Sequence, residues 1–196
     1  MTARASQRRI VVLAPHAEQT FQPEPRPLAA RCSSLDGAQI VFVDNGFVAT
    51  RVLHDVIRRG LEASGIDAIV ERKRYWQPLD PDRIAALAEH ANALIGGLGH
   101  TPPSSSWGIH DAVAFERLGV PTVSLATSLY EELVTSTARS EGMPDVKRVI
   151  LPHPLEGVPD LDLESIARRV VDPVIGALTT AGSPAVRHVS MDAHDT

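Results

Sequence analysis

Apolar and polar positions alternate along this chain in two periods. Arg9-Ile-Val-Val-Leu-Ala-Pro15 reads as a short strand. Residues 16–36, with Pro23, Pro25 and Pro27, show little periodicity and read as an extended arm. Gln39-Ile-Val-Phe-Val43 is a continuous apolar run, the pattern of a strand buried on both faces. Asp44-Asn45-Gly46 ends it with a turn. Val52, Leu53, Val56, Ile57 and Leu61 then recur at helical spacing, predicting a helix from Val48 to Ser64 that Gly65 stops. Strands follow at 66–70, 93–97, 120–126 and 146–151. Helices start at Asp80-Pro81 and cover about 107–118, 128–141 and 163–178, and a loop spans 98–108. From Ala181 onward the chain is small and polar and reads as a disordered tail.

Strands alternating with helices predict an open, mainly parallel sheet of five strands with helices on both faces. This is a three-layer α/β sandwich of Rossmann or flavodoxin-like type. The arm with its first strand covers 1–37, one α/β domain covers 38–180, and the tail covers 181–196. Ligands of such sheets bind beyond the carboxyl ends of the strands, where strand order reverses. That rule selects Asp44-Asn45-Gly46, Gly97 to Trp107, Thr127-Ser128 and Pro152-His153-Pro154.

Composition narrows the partners. The 196 residues are 43% hydrophobic, enough for one full core. No apolar run is long enough to span a membrane, and no signal-type segment follows the basic start, so a cytoplasmic protein is expected. A net charge of -5 and 4% aromatics argue against nucleic-acid binding. The single cysteine, Cys32, excludes an intrachain disulfide and a thiolate-rich zinc site.

Candidate chemistry concentrates between Gly96 and Glu116. Gly96, Gly97 and Gly99 let a backbone approach a ligand closely, and a glycine loop before a helix is an anion site in principle. There is no GxGxxG and no Walker lysine-serine pair. Thr101, Ser104, Ser105 and Ser106 supply hydroxyls, either as helix caps or as holders of a carboxylate or phosphate. On the helix that follows, Ile109, Ala112 and Val113 form the apolar face and Glu116 falls inside it. Glu116 either accepts backbone amides of a neighbouring loop, such as Asp44-Asn45-Gly46, or acts as a general acid or base. Asp111 suits the first helical turn electrostatically. His110 gains nothing there as a cation, so a neutral, proton-accepting imidazole is favoured. His153 is held between two prolines beyond the fifth strand, where it can face the same crevice as His100 and His110. The set His100, His110, Asp111 and His153 matches no standard metal spacing, and neither metal nor cofactor is expected. His16, His54, His90, His188 and His194 have no comparable context.

These residues also carry a likeness. Leu35-Asp-Gly and Val43-Asp-Asn-Gly46 resemble the amino-terminal half of the UGSC family, named for a motif with selenocysteine or cysteine. Gly97-Leu-Gly-His-Thr-Pro-Pro-Ser-Ser-Ser-Trp107 is similar to that family's Gly-x-Gly-Asp, Sec/Cys-Gly-Ser-Cys and Thr-Ser-Trp blocks. Ile109 to Glu116, Gly119 to Val123 and Leu151 to Pro154 continue the match, so the resemblance spans about Leu35 to Pro154. It implies the fold and the site's location. It also implies what is missing: Thr101 stands at the redox position, Ser104 at the second cysteine, and His100 in place of the acidic residue. Thiol or selenol redox chemistry needs a nucleophile that threonine does not supply.

Three functions remain as expectations. The first is a cofactor-independent acid–base enzyme of lyase, dehydratase, hydratase or cyclase type, in a specialised biosynthetic pathway. His100, His110, Asp111, Glu116 and His153 would move protons on a small carbonyl or carboxylate substrate. Asp44, Asn45, Gly97, Gly99, Thr101, Ser104, Ser105, Ser106, Trp107 and Thr127 would hold it. The second is a non-catalytic binding or scaffold subunit paired with an active homologue. The third is a hydrolase with a nucleophile among Ser104, Ser105 and Ser106 and His110 as base. A homodimer, or a heterodimer with a homologue, is expected.

Overall fold

The computed structural model describes residues 23–157 and 159–190. The strand expected at 9–15, His16 and His194 lie outside the described residues. The strands are β1 (Gln39–Asp44), β2 (Asp67–Arg72), β3 (Ala93–Gly99), β4 (Thr122–Thr127), β5 (Lys147–Leu151) and β6 (Val186–His188). The helices are α1 (Val48–Gly60), α2 (Pro81–Ala88), α3 (Pro102–Arg117), α4 (Glu131–Ser140) and α5 (Asp160–Thr179). All six strands are parallel, in the order β2-β1-β3-β4-β5-β6. The chain steps outward from β1 to β2 and then back across to β3. The switch point therefore lies between β1 and β3.

The sheet is covered on both faces. α1 and α5 pack on one face, where Leu53, Ile57, Val170 and Val174 close over Ile40, Phe42 and Val149. α2, α3 and α4 cover the other, with Leu87 and Phe115 against Val41 and Leu94, and Val113 and Val134 against Ala126 and Ile150. Phe42, Leu53, Ile57 and Phe115 are fully buried, each contributing about 1.5–3 kcal/mol. Burial on both faces explains why β1, β3, β4 and β5 read as apolar runs rather than alternating ones.

Three expectations change. The sheet has six strands rather than five, because Val186–His188, inside the expected tail, pairs with β5. Lys147 Nζ reaches Ser183 O at 2.5 Å and Val189 N donates to Ile150 O at 2.8 Å, which holds that segment against the sheet. β3 continues two residues beyond its expected end at Gly97, so Leu98 and Gly99, expected in the loop, are buried strand residues, and Gly96, Gly97 and Gly99 all lie in the strand. Finally, α3 begins at Pro102 rather than near Trp107. Prolines are tolerated in a first turn, and here Thr101 is the cap residue, with Ser104 Oγ accepting from its N–H.

Candidate functional site

The carboxyl ends of β1, β3, β4 and β5 meet around two histidines. His100 follows β3 and His153 follows β5. Their rings stack, with centroids 4.7 Å apart and planes 27° from parallel. Thr127, the last residue of β4, is buried beneath them. Its Oγ1 donates to Gly99 O at 3.3 Å and lies 3.0 Å from His153 Nδ1. With the hydroxyl hydrogen spent on Gly99, Oγ1 accepts from Nδ1–H. In that arrangement the proton sits on Nδ1 and the lone pair on Nε2.

His100 is fixed from the other side. Its Nε2 accepts from Leu155 N at 3.0 Å and from Glu156 N at 3.4 Å. Burial and the neighbouring His153 hold its pKa below the usual histidine value, against the pull of Glu156. A neutral His100 accepting at Nε2 carries its own proton on Nδ1. Glu156 also accepts from Ala49 N at 3.1 Å, so the segment after β5 bridges to the first turn of α1. The His153–Pro154 peptide is cis.

Aromatic rings extend the stack across the edge. Phe47 lies 5.8 Å from His100, Tyr75 lies 5.2 Å from Phe47, and Trp76 lies 4.7 Å from Tyr75. On the other side Tyr130 meets His153 edge-on at 5.9 Å. Sequence reasoning missed these rings. The available signal was the concentration of Tyr75-Trp76 and Tyr130 just after strand ends, in a chain poor in aromatics.

The remaining expected residues divide by position. Asn45 is buried at the switch point; its Nδ2 donates to Leu98 O at 2.9 Å and its Oδ1 accepts from Thr50 at 2.8 Å. A Cβ on Gly97 would come within 2.7 Å of Asn45 Cγ and 2.8 Å of Val43 O. Gly97 thus makes room for Asn45, and Gly99 makes room for Ser105, whose Oγ would lie 2.9 Å from its Cβ. Asp44 folds back on Gly46 N at 2.9 Å and meets Arg51 at 3.1 Å and Arg72 at 3.8 Å.

Ser104 Oγ accepts from His100 N at 3.0 Å and Thr101 N at 2.9 Å; Thr101 Oγ1 lies 3.0 Å away. Ser105 Oγ donates to Thr101 O at 2.8 Å. Both serines are buried, Ser104 in a capping box with Thr101 and Ser105 on the Thr101 carbonyl, and neither is hydrogen-bonded to His110 among the described residues. Pro102 and Pro103 carry no N–H, so the amino end of α3 lacks two of its customary anion donors. Ser106 makes no side-chain hydrogen bond among the described residues.

His110, Asp111, Glu116 and Trp107 are not brought to the stacked histidines. His110 Nδ1 pairs with Glu141 at 3.1 Å, at the far end of α4, and Trp107 packs on His110 at 5.1 Å. Asp111 forms a buried ion pair with Lys73 and accepts from Leu79 N at 2.9 Å. Burial raises its pKa more than Lys73 lowers it. A cavity of about 10 Å³, lined by Lys73, Asp111, Asn45 and Gly97, lies beside this pair. Glu116 sits at the opposite edge of the sheet from Thr127. It accepts from Thr122 N at 2.7 Å, Ala29 N at 2.8 Å and Arg31 at 2.6 Å. It is a backbone-amide acceptor, though of the arm and β4 rather than of residues 44–46. The four residues weighed as metal ligands therefore do not converge.

Among solved structures, the chain is similar to the flavodoxin-like domain of a Synechococcus sp. protein. Identity is 15%, over 74% of this chain and 100% of that one, with a TM-score of 0.41. It is also similar to an ABC sugar transporter subunit from Rhodobacter sphaeroides 2.4.1, at 14% identity over 83% of this chain and 59% of that one, with a TM-score of 0.34. No curated protein matches. No helix among the described residues is long and apolar enough to cross a membrane. The model of the UGSC family matches residues 11–180. The chain belongs to the UGSC family, with Thr101 and Ser104 hydrogen-bonded at the head of α3 and His100 beside them.

Proposed function

We propose that the protein is a proton-transfer enzyme acting on a small carbonyl or carboxylate substrate, with His153 as base and His100 as its partner. One observation carries the reading: the hydrogen-bonded series His153 Nδ1, Thr127 Oγ1, Gly99 O. Such a series fixes the tautomer and orientation of an imidazole, and its Nε2 makes no hydrogen bond among the described residues. A general base needs both an exposed lone pair and a fixed direction. His100, neutral and protonated at Nδ1, is suited to donate to an oxygen that gains charge as the substrate loses its proton. Eliminations next to a carbonyl and aldol-type cyclisations begin with this step.

Deuterium uptake at the α-carbon of small 2-oxo acids and other enolisable carbonyls, followed by proton NMR in D2O, tests it. His153→Ala is expected to cut exchange by about 10²–10⁴. His110→Ala, remote from the stack, is expected to leave it unchanged. Exchange that persists in His153→Ala refutes the assignment.

A further inference from the structure

We infer that the carboxyl edge of the sheet binds a planar, conjugated carboxylate, laid along the ring row from Trp76 to His153 with its anionic end towards Arg51, Arg72 and Arg74. The inference rests on the proton-transfer reading of the same crevice and adds the class of substrate.

Shape is the first argument. The chain has only eight Phe, Tyr and Trp residues, and four of them, Phe47, Tyr75, Trp76 and Tyr130, stand on this one edge. They come from three separate connections, after β1, β2 and β4, and the two histidines complete the row. Packing the core does not require them there. The interior is filled by aliphatic side chains and by Phe42 and Phe115. Trp76 is 48% exposed, and Val48 at 55% and Leu129 at 63% stand on the same edge. Exposed rings beside fixed polar groups are what a flat ligand needs, because stacking rewards a π-face and not a puckered ring.

Charge is the second argument. The protein is acidic overall, yet Arg51, Arg72 and Arg74 cluster at the ends of β1 and β2. Arg51 and Arg72 share one carboxylate, Asp44, and remain largely in solvent. Arg74 lies over the Trp76 ring at 5.5 Å and makes no ion pair among the described residues. Set against Asp44 and Glu156, the three guanidinium groups leave one positive charge in surplus beside the rings. Backbone amides do not compete for the anion. Pro102 and Pro103 remove them from α3, and Glu156 already occupies Ala49 N at α1. A carboxylate arriving here meets side-chain guanidinium groups, which bind carboxylates in flat, paired geometry.

Calorimetric titration with 2-naphthoate, its saturated decahydro counterpart and neutral 2-naphthamide separates shape from charge. 2-Naphthoate is expected to bind at least about fivefold more tightly than either, and Trp76→Ala and Arg74→Ala each to weaken it by about fivefold. Trp76 and Arg74 are surface side chains, so both variants are expected to keep the wild-type thermal midpoint. Equal affinity for the planar and saturated acids overturns the inference. So does 2-naphthoate binding that Trp76→Ala leaves intact, or no binding at all. His153→Ala is titrated in parallel. Planar-selective binding without any deuterium exchange sinks the proton-transfer reading alone. Exchange of 2-oxo acids without planar selectivity sinks the substrate class alone.

Discussion

His54 shows how a single buried group sets a pH limit. It is buried in α1, with Nε2–H donating to Gly96 O at 3.1 Å and Phe42 packed edge-on at 5.2 Å. Burial pushes its pKa down from 6.5 to about 4. The unfolded chain takes up this proton below pH 6.5, and the folded chain only near 4. Between those values the unfolded state binds more protons, so stability falls as pH falls. His54 alone accounts for about 3 kcal/mol of that loss. Urea unfolding at pH 7 and at pH 4.5 is expected to show a smaller difference for His54→Gln than for wild type; an identical difference refutes the assignment. Gly97 makes a sharper single-residue point. Its missing Cβ is the space that Asn45 fills, so Gly97→Ala is expected to destabilise by about 1–3 kcal/mol through overpacking, seen as a lowered urea midpoint. The sequence marked Gly97 as special but pointed to a ligand. A close approach to a ligand and a close approach to a neighbouring side chain leave the same trace in one chain.

Elements explain why some candidates gathered and others dispersed. The apolar period on α3 was legible, and so was Glu116 inside it. Its partner was not, because Arg31 lies 85 residues away in a segment without periodicity. Glu116 and Arg31 form an ion pair with side chains 0% and 5% exposed, which ties the arm to the start of β4. Removing one member of such a pair strands the other. Glu116→Gln is expected to cost about 3–5 kcal/mol, and Glu116→Gln with Arg31→Met to recover part of it. Thermal unfolding of the three proteins checks this. Asp111 does similar work on the crevice side. Through Lys73 and Leu79 N it moors the connection that presents Tyr75 and Trp76. His110 and Asp111 are adjacent in sequence but point to different layers, since neighbours on a helix lie about 100° apart.

At the scale of the molecule, the three layers were readable from alternation alone, and in a doubly wound sheet the carboxyl ends of the strands are where a candidate site is sought. His100 and His153 were expected in one crevice, and they share it; the stacking of their rings over Thr127 was not legible. Strand order is set by pairing and not by sequence position, and only that order puts Gly99, Thr127 and His153 side by side. The sixth strand was hidden for a simpler reason. Three residues, Val186-Arg-His188, are too few to show a period. Removing residues 181–196 deletes that strand, strips Lys147 of Ser183 O and opens β5 as an edge. The thermal midpoint is expected to fall by about 5–10 °C by calorimetry, with the histidine stack retained.

Cys32 lies on the arm that Glu116 secures, with its amide donating to Leu178 O at 2.9 Å and its thiol to Asn92 O at 3.3 Å. As the sole cysteine, at the sheet edge away from the histidines, it is a native clock for arm release. The thiol is half-buried and its pKa is raised by burial, so a maleimide reacts slowly while the arm is docked. Glu116→Gln, which loosens the arm's anchor, is therefore expected to speed labelling relative to wild type, read as a single mass increment without introducing any foreign cysteine.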